Sequence, residues 1–94
     1  MLNDEQITAA LAGLPGWERE GDALVRRITV PGGFSDAIAF VRRLAEAADR
    51  VDHHPDVSIS WNRVTVSWSS HSAGGITERD VEMAAATDAL VPTD

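Results

Sequence analysis

Cysteine is absent from the 94-residue chain, which removes disulfides, iron–sulfur clusters, thiolate zinc sites and cysteine nucleophiles together. Lysine is absent as well, since all eight basic residues are arginine, a bias that reads as GC-rich, bacterial coding sequence. Basic charge is in deficit, with a net charge of −7, whereas direct nucleic-acid binding leaves a basic surplus. No apolar run approaches the roughly 20 residues of a membrane span. The opening stretch "MLNDEQITAA" lacks the positive region and apolar core of a secretory signal, so the cytoplasm is the expected compartment. Repeats, linkers and low-complexity segments are missing too. A chain this short buries roughly two-thirds of its unfolded surface, enough for one core, so residues 1–94 read as a single domain.

What is present is periodic. Asn3 with Gln6 forms a capping-box pattern for a short helix over about 4 to 12, ended by "GLPG". Trp17 to Glu20 and Ala23 to Val30 read as strands around "EGD". After "PGG", Ser35 is the expected cap of a long helix to about Val51, with Ile38, Val41, Ala45 and Ala48 on its apolar face. "VSISW" and "VTVSW" place Val57, Ile59 and Trp61, then Val64, Val66 and Trp68, on one face of a hairpin turning at Asn62-Arg63. Trp61 and Trp68 are expected in the core, and Trp17 either there or on a ligand platform. Thr77 caps the last helix, with Asp80 in its first turn. The order α-β-β-α-β-β-α gives an α+β fold, a four-stranded antiparallel sheet with helices packed on one face.

The chemistry concentrates in "DHHPD", residues 52–56, with one more histidine at 71. Adjacent histidines diverge on a helix or a strand and so converge poorly on one ion, which makes a metal site the lesser reading. Pro55 disfavours helical geometry at His54, so the long helix ends near His53, with both rings at the negative end of its dipole. Asp49 lies four residues before His53, on the same helical face, and can pair with it. Near neutral pH such histidines can both give and take protons. On pattern alone, C-terminal capping of the helix comes ahead of catalysis.

The stretch "DRVDHHPDVSISWNRVTVSWSSHSAGGITERD" resembles the pterin-4a-carbinolamine dehydratase family. Asp49, His53, His54, Pro55, Trp61, Asn62, His71, Gly74, Glu78, Arg79 and Asp80 fill that family's pattern, and a weaker likeness around Trp17 extends it over most of the chain. Two departures stand out: Asp49 is often glutamate in relatives, and Ser72 replaces a glutamate of animal members.

The resemblance implies a hydro-lyase that dehydrates 4a-hydroxytetrahydropterin to quinonoid dihydropterin, supporting tetrahydropterin recycling for aromatic amino-acid hydroxylation. It implies no metal and no organic cofactor. His53, His54 and His71 would be the catalytic set, in roles left open. Asp52, Ser69, Ser70, Ser72 and Pro55 would contact the pterin. Asp49 would orient His53, with Asp80 and Trp17 in support. A homodimer or homotetramer is also implied, with sheets joined at edge strands, as is a functional link to phenylalanine hydroxylase. Animal relatives double as dimerisation partners of a transcription factor. A non-catalytic interaction module of that coactivator type is therefore the competing class, and action on another pterin, such as a molybdopterin-related one, is the third reading.

Overall fold

The computed structural model describes residues 1–93. Its helices are α1 (Asp4–Ala12), α2 (Phe34–Val51) and α3 (Glu78–Leu90). Its strands are β1 (Glu18–Glu20), β2 (Ala23–Thr29), β3 (Asp56–Ser60) and β4 (Arg63–Trp68), and a short 3₁₀ turn covers His71–Ala73. The sheet is antiparallel throughout, in the order β1-β2-β4-β3. The expected α+β arrangement is what forms.

Strand register explains which sheet face is covered. Leu24, Arg26 and Ile28 stand opposite Trp68, Val66 and Val64, and Val57 and Ile59 extend the same face onto β3. The helices pack on this side, where α3 touches β2 and β4 while α2 touches β4 and α3. The other face carries Arg27, Thr29, Ser58, Thr65 and Ser67, the alternation of a sheet wetted on one side. Trp68 is wholly buried, and its indole N–H donates to the Thr87 hydroxyl at 3.0 Å. Trp17 is also core, and its indole N–H donates to Asp88, a carboxylate it shares with Arg26.

The caps follow local chemistry. Asn3 and Gln6 exchange backbone-to-side-chain bonds of 2.9 Å each, as their spacing predicts. For α2 the expectation needs correcting. The cap is Gly33, whose N–H donates to Asp36 Oδ2 at 2.9 Å, so Ser35 lies inside the first turn.

The buried stripe of α2 is Ala37, Phe40, Leu44 and Ala48, while Ile38 and Ala45 are exposed. The helix carries two apolar stripes at helical spacing, and only the sheet decides which one is covered. The β3–β4 turn is Trp61-Asn62, not Asn62-Arg63, because Ser60 pairs with Arg63. Trp61 therefore takes the left-handed backbone, at φ +55°, and is 67% exposed rather than buried. Asn62 is fixed from outside the hairpin by exchanging backbone and side-chain bonds with Val30 at 2.8 and 3.1 Å. That tertiary anchor sets a turn that dipeptide preference alone misplaces by one residue.

Candidate active site

The site begins where α2 stops. Asp52 adopts the left-handed conformation, φ 50° and ψ 46°, which a short polar side chain tolerates better than most. The His53 N–H then reaches back to the Ala48 carbonyl at 3.2 Å, closing a Schellman-type end with aspartate in the usual glycine place. This reversal takes His53 off the helical face it would share with Asp49 and turns it inward.

His53 lands on two groups from elsewhere in the chain. Its ring stacks on Trp68, with centroids 5.4 Å apart at 30°. Its Nε2 lies 2.6 Å from Asp80 Oδ1. The expected pairing of Asp49 with His53 is thus corrected: Asp49 holds His54 instead, with Nε2 to Oδ1 at 2.8 Å. The two pairs differ in kind. Asp80 is fully buried and the His53 side chain only 11% exposed, whereas Asp49 and His54 are 75% and 55% exposed.

A buried carboxylate costs several kcal/mol unless its lone pairs are occupied. Asp80 meets that demand from the first turn of its own helix and the loop before it. Oδ2 accepts the Thr77 N–H and the Ser70 hydroxyl, each at 2.8 Å. The Thr77 hydroxyl sits 2.8 Å from Ser70 Oγ and completes the chain. Among the described residues no buried side-chain nitrogen or oxygen lacks a partner. When Asp80 is ionised it only accepts, so the hydrogen of this contact sits on Nε2 of His53, and in the neutral ring Nδ1 is then the acceptor.

His71 reaches the site by a different route. It lies beyond the end of β4, in the 3₁₀ turn, not on the strand. Ser70 and Gly75 close this loop with paired backbone bonds of 3.0 and 3.3 Å, and Gly74 takes φ +76° between them. The result is one open cleft of about 270 Å³ that gathers all three histidines with Asp52, Ser69, Ser70, Ser72 and Arg79.

Other expected site residues are placed elsewhere. Pro55 and Asp49 face the adjoining groove with Val41, Ala45 and Val57, and His54 lines both that groove and the cleft. Trp17 is buried against Asp88, away from the cleft lining. Ser70 reaches the cleft, but its hydroxyl is committed to Asp80. Arg79, given no role by sequence reasoning beyond its place in the pattern, lines the cleft and donates to the carbonyls of Val51 and Asp52. No spacing could reveal that bond across 28 residues. Among the described residues no three histidine or carboxylate side chains are grouped to hold a metal ion.

A one-sided antiparallel sheet under three helices carries a histidine cleft backed by a buried carboxylate, groups of the kind that can give and take protons. Residues 1–90 match the family model for pterin 4 alpha carbinolamine dehydratase, and the chain belongs to that family, which is named for a hydro-lyase. A Mycobacteroides abscessus protein whose name carries the words pterin-4-alpha-carbinolamine dehydratase is 54% identical over 91 residues, covering 97% of this chain and 96% of that one. A Nocardia farcinica protein of the same name is 50% identical, covering 96% and 94%. The fold is similar to a Brucella melitensis crystal structure described as a transcriptional coactivator/pterin dehydratase, with TM-score 0.91, 33% identity and coverage of 97% and 98%. A pterin dehydratase-like protein described as a RuBisCO assembly factor in the alpha-carboxysome shares the fold at TM-score 0.65 and 22% identity, over 83% of this chain and 89% of that one.

Proposed function

We propose that this chain dehydrates 4a-hydroxytetrahydropterins to quinonoid dihydropterin and water, in the cytoplasm, in support of tetrahydropterin recycling. The observation that carries the reading is His53, stacked on Trp68 and held through Nε2 by the fully buried Asp80, in one cleft with His54 and His71.

The reaction breaks the C4a–O bond and removes one proton from a ring nitrogen, while the departing hydroxyl gains a proton and leaves as water. Neutral His53 can only accept at Nδ1, so it is the base. The proton for the hydroxyl comes from His54 or His71. The proton gained by His53 and the one lost by the acid balance over a turnover. Asp80 orients the ring and stabilises the imidazolium that forms, as in other carboxylate–histidine pairs. Asp52, Ser69 and Ser72 supply polar contacts around the pterin. The residues of the chain supply both acid and base, with no part assigned to a metal or cofactor.

The deciding experiment generates 4a-carbinolamine with a phenylalanine hydroxylase and follows quinonoid dihydropterin by ultraviolet absorbance, in chelator. The folded protein accelerates the step, and a double variant with His53→Ala and His54→Ala, unchanged in circular dichroism, does not. No acceleration by wild-type protein would overturn the reading. Loss of activity to chelator with recovery on zinc would overturn the metal-free mechanism.

A second reading, an interaction module, draws on the coactivator description of the Brucella protein and on exposed apolar residues beside β3. Under it, the histidine variants would leave function intact. We assign those apolar residues instead to a second copy of the chain, in a homodimer or homotetramer.

A further inference from the structure

The Arg79 guanidinium ends at main chain, not at a carboxylate. Its Nη2 donates to the Val51 carbonyl at 2.6 Å and lies 3.4 Å from that of Asp52. Val51 is the last residue of α2 and Asp52 the left-handed residue after it. The final carbonyls of a helix have no partner within the helix and carry the negative end of its dipole. A guanidinium from α3 satisfies them from outside. Among the described residues Arg79 makes no ion pair, so its charge is directed at this helix end.

From this geometry we infer that Arg79 is a positioning residue of the dehydration, clamping the hinge through which His53 and His54 leave α2; the inference rests on the dehydratase reading above. The hinge needs such a clamp. A left-handed non-glycine residue costs about 1–2 kcal/mol and persists only where its surroundings hold it. The bonds closing the helix end within the hinge are long, 3.3 Å from the Asp52 N–H to Asp49 and 3.2 Å from the His53 N–H to Ala48.

The Asp52 dihedrals set where the whole His53 side chain lies relative to Trp68 and Asp80. Arg79 and Asp80 are consecutive on α3 and divide the task. Asp80 holds the imidazole, and Arg79 holds the main chain one residue before it. The first turn of α3 thereby fixes His53 at both ends relative to the sheet.

Arg79 also lines the cleft, so a direct substrate contact is the rival role. The test uses the full chain and the variants Arg79→Gln and Arg79→Lys. In Arg79→Gln, kcat falls about tenfold to a hundredfold, the scale of a small misplacement of a catalytic group, while KM stays near wild type. Amide exchange at Asp52 and His53 accelerates, while core amides such as that of Leu44 keep their protection. Arg79→Lys, which keeps the charge and one donor, recovers part of both.

A raised KM with unchanged kcat would overturn the inference in favour of substrate contact. So would a fall in kcat without faster exchange at residues 52–53, or faster exchange spread evenly over α2. Should Arg79→Gln fail to fold, Arg79→Lys carries the same two readouts. Wild-type protein inactive on every pterin would end the dehydratase reading, while the exchange measurement would still decide the clamp.

Discussion

Asp80 and Asp49 each touch a histidine, and their surroundings give them unequal weight. Asp80 is enclosed and takes two other hydrogen bonds, so Asp80→Asn keeps the shape but removes the acceptor that fixes His53. Turnover should fall by about 10²- to 10⁴-fold, as when a buried carboxylate behind a catalytic histidine is replaced. Asp80→Ala should in addition lower stability by about 1–3 kcal/mol, because the Ser70 hydroxyl and the Thr77 N–H lose their partner. The Asp49–His54 pair lies in solvent, where such pairs contribute little, so Asp49→Asn should change turnover by less than about tenfold. Steady-state kinetics and urea unfolding of the three variants check this order, and equal losses for Asp49→Asn and Asp80→Asn would contradict it. Sequence alone pointed to all three histidines and both carboxylates but gave Asp49 to His53 and left Asp80 without a named partner. Spacing four apart links Asp49 to His53 only while the helix continues, and the left-handed Asp52 ends it one residue too soon. The bond to Asp80 spans 27 residues, and no local pattern encodes it.

Hairpins and helices show the same limit one level up. The number and order of elements were legible because turn residues and periods of two and 3.6 separate cleanly along this chain. Which stripe of α2 meets the sheet was not, since both are apolar. The β3–β4 turn was read one residue late because Trp61 is a poor candidate for positive φ. Trp61→Gly should relieve that strain and stabilise the monomer by up to about 1 kcal/mol, read as a higher urea midpoint at concentrations too low for self-association. A lower midpoint would mean that packing of the indole over Gly33 outweighs the strain. In the β1–β2 hairpin, a hydrogen bond from Arg27 holds the Glu20 carboxyl below the ordinary 4.5. The folded value is depressed, so the pair's stabilisation is present above the unfolded value and is lost as pH falls through the folded one. Glu20→Gln should therefore lower stability above the acid range, with the difference from wild type vanishing as pH falls through the folded value, and only slightly, because the pair is exposed.

For the whole molecule, the open question is what the two sheet edges do. β1 is three residues, Glu-Arg-Glu, and short charged edges resist pairing. β3 is longer, and between Asp56 and Ser60 it carries only Val-Ser-Ile. Beside it stand apolar side chains that the monomer leaves in solvent: Phe34 and Ile38 on α2, Val57 on the strand and Trp61 at the turn. An antiparallel pairing of β3 with its copy would close the free edge and cover these residues together, and a symmetric interface of this kind needs no other partner. A standard interface removes about 800 Å² per partner, from the 5512 Å² this chain exposes. The β3 edge and the α2 stripe lie on adjoining elements of one side, where such an area can be gathered. The strain at Trp61 then has a use, since the left-handed turn leaves the indole beside Gly33 with most of its surface open for a copy to cover. Val57→Lys places a charge in the middle of that contact; Val57 does not line the three-histidine cleft, although it shares the neighbouring groove with His54. Sedimentation should show wild-type protein as a dimer or tetramer at micromolar concentration and Val57→Lys as a monomer with an unchanged circular dichroism spectrum. A monomeric wild type, or an oligomer indifferent to the lysine, would free this surface for a different protein. In that case the interaction reading would gain its first physical support.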